Sequence, residues 1–220
     1  NRSPYSDGGA IAIHSIKTSS VVSMTDCRTE TNVAQGRGGA VFVGRTSVLA
    51  VASTHMEGDI ATVGGGAVTA FVSKLSLFNT SIVSSSSALG ALQCIASSLQ
   101  MYQSTVYNTT GMGISGKFCN AVLSNSTVAH NQGGGVAFAA QSDIQVKNCD
   151  FVSNVAVLRD GGGLLCNGCD RLLVDASTKF DGNAALRGGG MAVMNTLNVL
   201  LEQTTSFTNN RATSGGGGGL

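Results

Sequence analysis

Short segments in which apolar and polar residues alternate recur along the whole chain. They include TSVLAVAST at 46–54, SKLSLFNTS at 73–81 and SDIQVKNCDF at 142–151. A two-residue period in segments rich in Val, Ile, Leu and Thr is typical of β-strands. The i, i+3, i+4, i+7 spacing of an amphipathic helix is not sustained anywhere. The pattern therefore predicts an all-β protein built from many short strands.

Runs of glycine divide these strands into periods. The last glycine of each run falls at Gly9, Gly39, Gly66, Gly90, Gly113, Gly135, Gly163, Gly190 and Gly219. The intervals are 30, 27, 24, 23, 22, 28, 27 and 29 residues, and a solenoid of strands can absorb such variation within one turn. Strands of successive periods must pair in parallel, about 4.8 Å apart, to satisfy their backbone groups. We therefore predict one domain over 1–220, a parallel β-helix of about eight coils, each coil being one complete turn of the solenoid.

Two columns of similar residues precede the glycine runs. The first, here called the Asn column, contains Asn32, Asp59, Ser85, Thr109, Asn131, Asn154, Asn183 and Asn210. Three residues earlier stand Thr29, Met56, Ile82, Val106, Val128, Phe151, Phe180 and Phe207. We expect the apolar column to fill the interior. We expect the Asn column to form a structural stack at a turn, because Asn tolerates left-handed backbone and its amide can both donate and accept.

The segments after the glycines, such as AVFV at 40–43 and GMAV at 190–193, are apolar at consecutive positions. Strands that are buried on both faces have this pattern. We expect the outer face of this sheet, including Ile13, Val43, Ala70 and Met194 or their neighbours, to be covered by another protein chain or by further repeats.

The GGAI segment at 8–11 and the segments FVSN at 151–154, FDGN at 180–183 and FTNN at 207–210 resemble a known pattern. They are similar to the GGA-I and F-x-x-N repeats in the passenger regions of chlamydial polymorphic outer membrane proteins. Related repeats occur in large extracellular proteins of the wider pectin-lyase-like group. The resemblance implies a right-handed β-helix and a role in adhesion at the cell surface. The period matches over the whole chain, but the full motif appears only in the last three coils.

Composition narrows the range of partners. Charged residues make up 11% of the chain, and the net charge of +1 leaves no basic stripe for nucleic acid. No apolar run has the ~20 residues that a membrane-spanning helix needs. Asn1 falls in the Asn column and Leu220 at the first strand position after the glycines, and neither end carries the polar cap that solenoids use. We therefore expect this segment to be part of a longer repeat protein, with partners at its ends.

The six cysteines allow several roles. Cys27 and Cys149 lie five periods apart and are expected to be buried and unbridged. For Cys166 and Cys169, in the CNGC segment, we favour a local disulfide over half of a zinc site. A Cys94–Cys119 disulfide between adjacent periods stays open as an alternative to two free thiols. No metal site or other cofactor is predicted.

Four N-glycosylation sequons occur, at Asn1, Asn79, Asn108 and Asn125. Asn79 and Asn125 share a polar column with Asp26, Ser53, Gln103, Asn148 and Ser177. This column is expected to be exposed, so glycans there would help to solubilise a surface with few charges.

The candidate catalytic residues are Asp143, Asp170 and Arg171. β-Helices of the pectin-lyase-like group include enzymes that cleave polysaccharides with clustered Asp and a basic residue, and two carboxylates at suitable separation can do such chemistry. Against this interpretation, Lys179 aligns with Asp150 and Arg187 aligns with Asp160, which favours charge compensation between coils.

The glycines of GMGISG at 111–116 fit the period rather than a dinucleotide site, and the three His residues fall in different columns. The sequence therefore favours a non-enzymatic structural or adhesive segment of an extracellular protein or surface filament. The alternative is a carbohydrate-active β-helix.

Overall fold

The computed structural model describes residues 2–3, 7–14, 20–175 and 177–219, and these residues form only strands and turns. The predictions that concern Asn1 and Leu220 lie outside the described residues. Three parallel sheets of eight strands run the length of the molecule, and short two-residue strands add two small sheets beside them. The prediction of a parallel β-helix is confirmed.

The strand bounds follow the period of the sequence. The first sheet, which follows the glycines, contains Ile11–His14, Val41–Gly44, Val68–Phe71, Leu92–Ile95, Ile114–Lys117, Val136–Ala139, Leu164–Asn167 and Met191–Met194. The second contains Val21–Thr25, Val48–Ala52, Lys74–Phe78, Ser98–Tyr102, Asn120–Ser124, Asp143–Lys147, Arg171–Val174 and Asn198–Leu201. The third contains Arg28–Glu30, His55–Glu57, Ser81–Val83, Thr105–Tyr107, Thr127–Ala129, Asp150–Val152, Lys179–Asp181 and Ser206–Thr208. The two-residue strands are Arg2–Ser3, Val33–Ala34, Ile60–Ala61, Val155–Ala156, Ala184–Ala185 and Arg211–Ala212.

The interior is filled by side chains that repeat from coil to coil. Phe151 pairs in register with Phe180, which in turn pairs with Phe207. Their ring centroids are 4.8 Å apart in both steps, with the rings nearly parallel. Stacking of identical apolar side chains at the inter-strand spacing buries them without voids. The prediction that the apolar column lies inside the solenoid is confirmed for these residues.

The asparagines of the Asn column form a hydrogen-bonded ladder in the interior, at the turn that follows the third sheet in each coil. Asn131 Nδ2 donates to Asn154 Oδ1 at 2.9 Å, and Asn154 Nδ2 donates to Asn183 Oδ1 at 3.0 Å. Asn183 Nδ2 continues to Asn210 Oδ1 at 3.0 Å. Each of the three oxygens also accepts the backbone N–H of the preceding asparagine in the ladder. The oxygen of one side chain thus satisfies a backbone and a side-chain donor of the preceding coil together.

The left-handed backbone lies one residue before the position that we predicted. Gly182, with φ of 64°, rather than Asn183, adopts this conformation, and Ser153 and Asn209 do so in neighbouring coils. The turn is made by the preceding residue, so that the asparagine can point inward and bond to the next coil. The sequence expectation for Asn183 is wrong in this respect.

Glycine is required where adjacent coils approach most closely. Gly188 has φ of +55°, and a Cβ on Gly190 would lie 2.6 Å from the carbonyl oxygen of Gly219. A side chain at position 190 would collide with backbone rather than with another side chain. This explains why glycines recur at equivalent places in the coils.

The prediction of an outer apolar face on the first sheet is wrong for three of its four named residues. Ile13, Val43 and Ala70 point into the core, and only Met194 lies on the outer side of its strand, opposite Asn167. The outward neighbour Phe42 is buried by the chain itself, because the guanidinium carbon of Arg37 lies 4.7 Å from the Phe42 ring centroid. In this coil, the outward apolar residue between two inward ones is therefore covered by the chain's own turn and not by a partner.

We expect Asn183→Leu to lower the free energy of unfolding by about 2–4 kcal/mol. The change leaves the backbone N–H and Nδ2 of Asn154, the Phe151 carbonyl and Asn210 Oδ1 without the partner that Asn183 gives them. Urea denaturation measures the loss. The matched control is Asn79→Leu on the exposed corner, which should cost only about 1 kcal/mol, because Leu must adopt the left-handed backbone there but no buried group loses a partner. Equal losses in the two variants would contradict the ladder.

Candidate functional site

The candidate residues Asp143, Asp170 and Arg171 lie in adjacent coils. Asp143 lies in register with Arg171, whose Nε is 3.0 Å from Asp143 Oδ1. Asp170 is exposed, and its backbone N–H donates to the Ser142 carbonyl at 2.9 Å, so Asp170 stands opposite Ser142. Asp143 and Asp170 are therefore offset by one residue, and the residue that faces Asp143 is Arg171. Because the side-chain period of a strand is two, one residue decides which groups meet.

The two other predicted alignments of opposite charges are present. Asp150 pairs in register with Lys179, and Arg187 Nη2 lies 2.6 Å from Asp160 Oδ2. The hydrogen bond from Arg187 lowers the pKa of the Asp160 carboxyl below its usual value. Both alignments are confirmed, and Arg187 and Asp160 form an ion pair between adjacent coils.

Hydrogen bonds from the following coil also hold a carboxylate without an ion pair. Asp181 Oδ1 accepts from Thr208 Oγ1 at 2.7 Å and from Asn209 Nδ2 at 2.9 Å. These two bonds, Thr208 first, lower the pKa of Asp181. The pKa of Asp181 is therefore set by two residues of the next coil that also form the turn there.

Asp59 is the carboxylate of the Asn column, and it is fully buried. Its Oδ1 accepts from the backbone N–H and Nδ2 of Asn32, both at 2.9 Å. Its Oδ2 accepts from Thr29 Oγ1 at 2.8 Å. Thr29 is the polar exception in the apolar column, and Asp59 is the charged exception in the Asn column of the next period. In the structure these two exceptions bond to each other. Burial raises the pKa of Asp59 despite the hydrogen bonds, which act in the opposite direction.

The histidines occupy separate environments. His14 packs against Phe42, His55 Nε2 lies 3.2 Å from Glu57 Oε2, and His130 contacts Tyr107 edge to face. Over the part of the chain that the structure describes, no cluster of three or more His, Cys, Asp or Glu residues could hold a metal ion. In the same ranges, no helix has the length and apolar character needed to cross a membrane.

The structure joins two pairs of cysteines. Cys94 and Cys119 form a disulfide with their Cα atoms 6.0 Å apart, which selects one of the two alternatives that the sequence left open. Cys166 and Cys169 are joined within their own turn. Cys27 and Cys149 are free, and burial raises the pKa of the Cys149 thiol to about 11, where it is protonated and unreactive at neutral pH.

The three described sequon asparagines are exposed and lie at left-handed corners. Asn79 and Asn125, with φ of 47° and 48°, follow the second sheet. Asn108, with φ of 55°, follows the third. The remaining members of the polar column are exposed at the same corner as Asn79: Asp26, Ser53, Gln103, Asn148 and Ser177. The described sequon sites are therefore sterically open.

Taken together, parallel pairing, three long sheets and an inward amide ladder define a parallel β-helix protein. The model of the right-handed beta helix region matches residues 9–178. The chain therefore belongs to the right-handed beta helix family. No curated protein matches it.

A comparison with solved structures finds HetL, a pentapeptide repeat protein involved in heterocyst differentiation regulation from the cyanobacterium Nostoc sp. strain PCC 7120. The sequence identity is 10%, and the alignment covers 86% of this chain and 87% of HetL. The TM-score is 0.18.

We expect Asp59→Asn to stabilise the protein at pH 7 by on the order of 1 kcal/mol and to flatten its pH dependence. Because the pKa of Asp59 is raised in the folded state, its contribution to the free energy of unfolding is fully present below the pKa that it has in the unfolded chain. That contribution is lost as the pH rises through the folded pKa. An amide at this position stays neutral and can still accept from Asn32.

Urea denaturation of the wild type and the variant between pH 3 and pH 8 measures this effect, with Asp26→Asn on the exposed corner as the control. If Asp59→Asn were no more stable than wild type at pH 7, burial of a destabilising charge at Asp59 would be ruled out.

Proposed function

We propose that this chain is a non-enzymatic structural or adhesive segment of an extracellular cell-surface protein or surface filament. The observation that carries the proposal is the use of charged groups between coils. Asp143, Asp160 and Asp181 each bond to a side chain one coil away. Groups held in this way reinforce the stacking of coils, which is what a rod-like scaffold needs.

Three features support a location outside the cell. Disulfides persist in oxidising compartments, and the structure contains Cys94–Cys119 and Cys166–Cys169. The sequons at Asn79, Asn108 and Asn125 are open to glycosylation. The repeats also resemble passenger repeats of chlamydial polymorphic outer membrane proteins, which suggests adhesion as the specific role.

The terminal coil supports stacking against further protein. Val199 occupies the interior position next to Leu172 in the second sheet. Val199 is 45% exposed whereas Leu172 is fully buried. An exposed interior residue beside unpaired strand edges favours packing against another protein chain. We propose that partners bind end to end at this surface, which is lined by Val193, Val199 and Leu201.

We expect the purified chain to associate in a concentration-dependent manner and Val199→Lys to weaken this association at least tenfold, because a charge there opposes coil-on-coil packing. Sedimentation velocity measures both. The control is Leu158→Lys, which places the same charge on a lateral loop at a residue that is 85% exposed. A wild-type chain that stays monomeric at high concentration would contradict end-to-end stacking.

The alternative function is polysaccharide cleavage by Asp143, Asp170 and Arg171. We expect no turnover of polyuronides by the wild-type chain, and therefore no difference on Asp143→Ala or Asp170→Ala, because Asp143 is paired with Arg171 rather than with a second carboxylate. Release of unsaturated or reducing ends can be followed spectrophotometrically. Turnover that falls more than a hundredfold in either variant would establish the alternative.

A further inference from the structure

A groove of about 410 Å³ crosses the outer face of the first sheet. Its floor is formed by outward residues of four successive strands, from Leu92–Ile95 to Leu164–Asn167. The size is within the range of pockets that bind small molecules. The groove lies apart from Asp143 and Arg171, which are on the second sheet.

Two buried polar atoms of residues that line the floor have no hydrogen-bond partner among the described residues. They are Gln93 Oε1 and Ser115 Oγ. Gln93 is 7% exposed, and it lies next to Ser115 in register. A buried oxygen without a partner costs about 1–3 kcal/mol, so each such oxygen requires an explanation.

The preceding coil explains why these oxygens are unpaired. Thr69, next to Gln93 in the same row of side chains, accepts the Gly65 backbone N–H at 2.7 Å. That N–H belongs to the turn at 61–66, whereas the corresponding turns at 87–90 and 111–113 are shorter. The short turns leave the groove open and remove the donor that the longer turn supplies.

The walls of the groove combine apolar surface with positive charge. Leu89 and Met112 line one side, and Leu165 continues the floor. Arg159, from the longer turn that follows Ala156, reaches over to Met112, with Nη1 3.7 Å from Sδ. Lys117 also lines the groove, and within the described residues neither cation forms an ion pair.

We propose that this groove binds an apolar N-acylated amino acid, a chemistry shared by the free compound and by the carboxyl end of a peptide. The Gln93 side chain would turn toward the groove so that Oε1 accepts from the ligand's amide N–H, and the ligand's carboxylate would bind Lys117 and Arg159. Its apolar side chain would pack against Leu89 and Met112. Gln93 Oε1, the two cations and the apolar wall of the groove then each have a partner of matching chemistry.

The test is a titration of the whole chain with N-acetyl-leucine, followed by NMR. We expect saturable shifts in the groove, and at least tenfold weaker binding of N-acetyl-leucinamide, which lacks the carboxylate. Lys117→Gln should weaken binding of N-acetyl-leucine at least threefold. The control Lys74→Gln, on the exposed side of the second sheet, should leave it unchanged. Gln93→Met, checked for folding by its melting temperature, should weaken binding about tenfold.

A tripeptide with a free carboxyl-terminal Leu distinguishes the two possible sources of the ligand, the free N-acylated amino acid and the end of a peptide. Binding tighter than that of N-acetyl-leucine identifies a peptide end, and weaker binding identifies the free compound. The proposal is overturned if N-acetyl-leucine produces no saturable shifts, if Lys117→Gln and Lys74→Gln behave alike, or if glucuronate, which has no apolar body, binds equally well.

Discussion

Each coil of this protein must place its hydrogen-bonding groups directly beside those of the next, and the asparagine ladder shows how strict that requirement is. An amide such as that of Asn154 receives two donors from one coil and donates to the next. A shift of one coil by a single residue would leave several buried groups unpaired. Register is therefore specified by side chains inside the solenoid as well as by the sheets.

The same requirement governs the surface. Because equivalent positions of successive coils lie about 4.8 Å apart, unlike charges at one position attract and like charges repel. Asp143 beside Arg171 and Asp160 beside Arg187 follow this rule. Few charges are needed for such pairing, which agrees with a chain that has only 11% charged residues. It also explains how a fold that can host catalysis serves as a scaffold in the function proposed for this chain.

The fold could be predicted from sequence because the period is repeated in the residues themselves. Phe151, Phe180 and Phe207 mark one interior column, and the glycine runs mark the turns. Single-residue register is harder to predict, since coils differ in length. That difficulty assigned Ile13, Val43 and Ala70 to the outer face.

Contacts between turns of unequal length were also hidden from sequence reasoning. The cover that Arg37 gives to Phe42 depends on how its turn folds back over the sheet. The unpaired oxygens of Gln93 and Ser115 depend on which turns are short. The sequence signal for the groove was the shortness of the turns at 87–90 and 111–113. In the alignment of the coils this shortness counted only as variation in coil length.

Hydrogen exchange of the asparagine side-chain amides, followed by NMR, tests the central claim most directly. If the ladder specifies the stacking of coils, the Nδ2 protons of Asn131, Asn154 and Asn183 will exchange only when the whole protein unfolds. Those of the exposed Asn79 and Asn125 will exchange orders of magnitude faster. Equally fast exchange at both sets of residues would contradict the account.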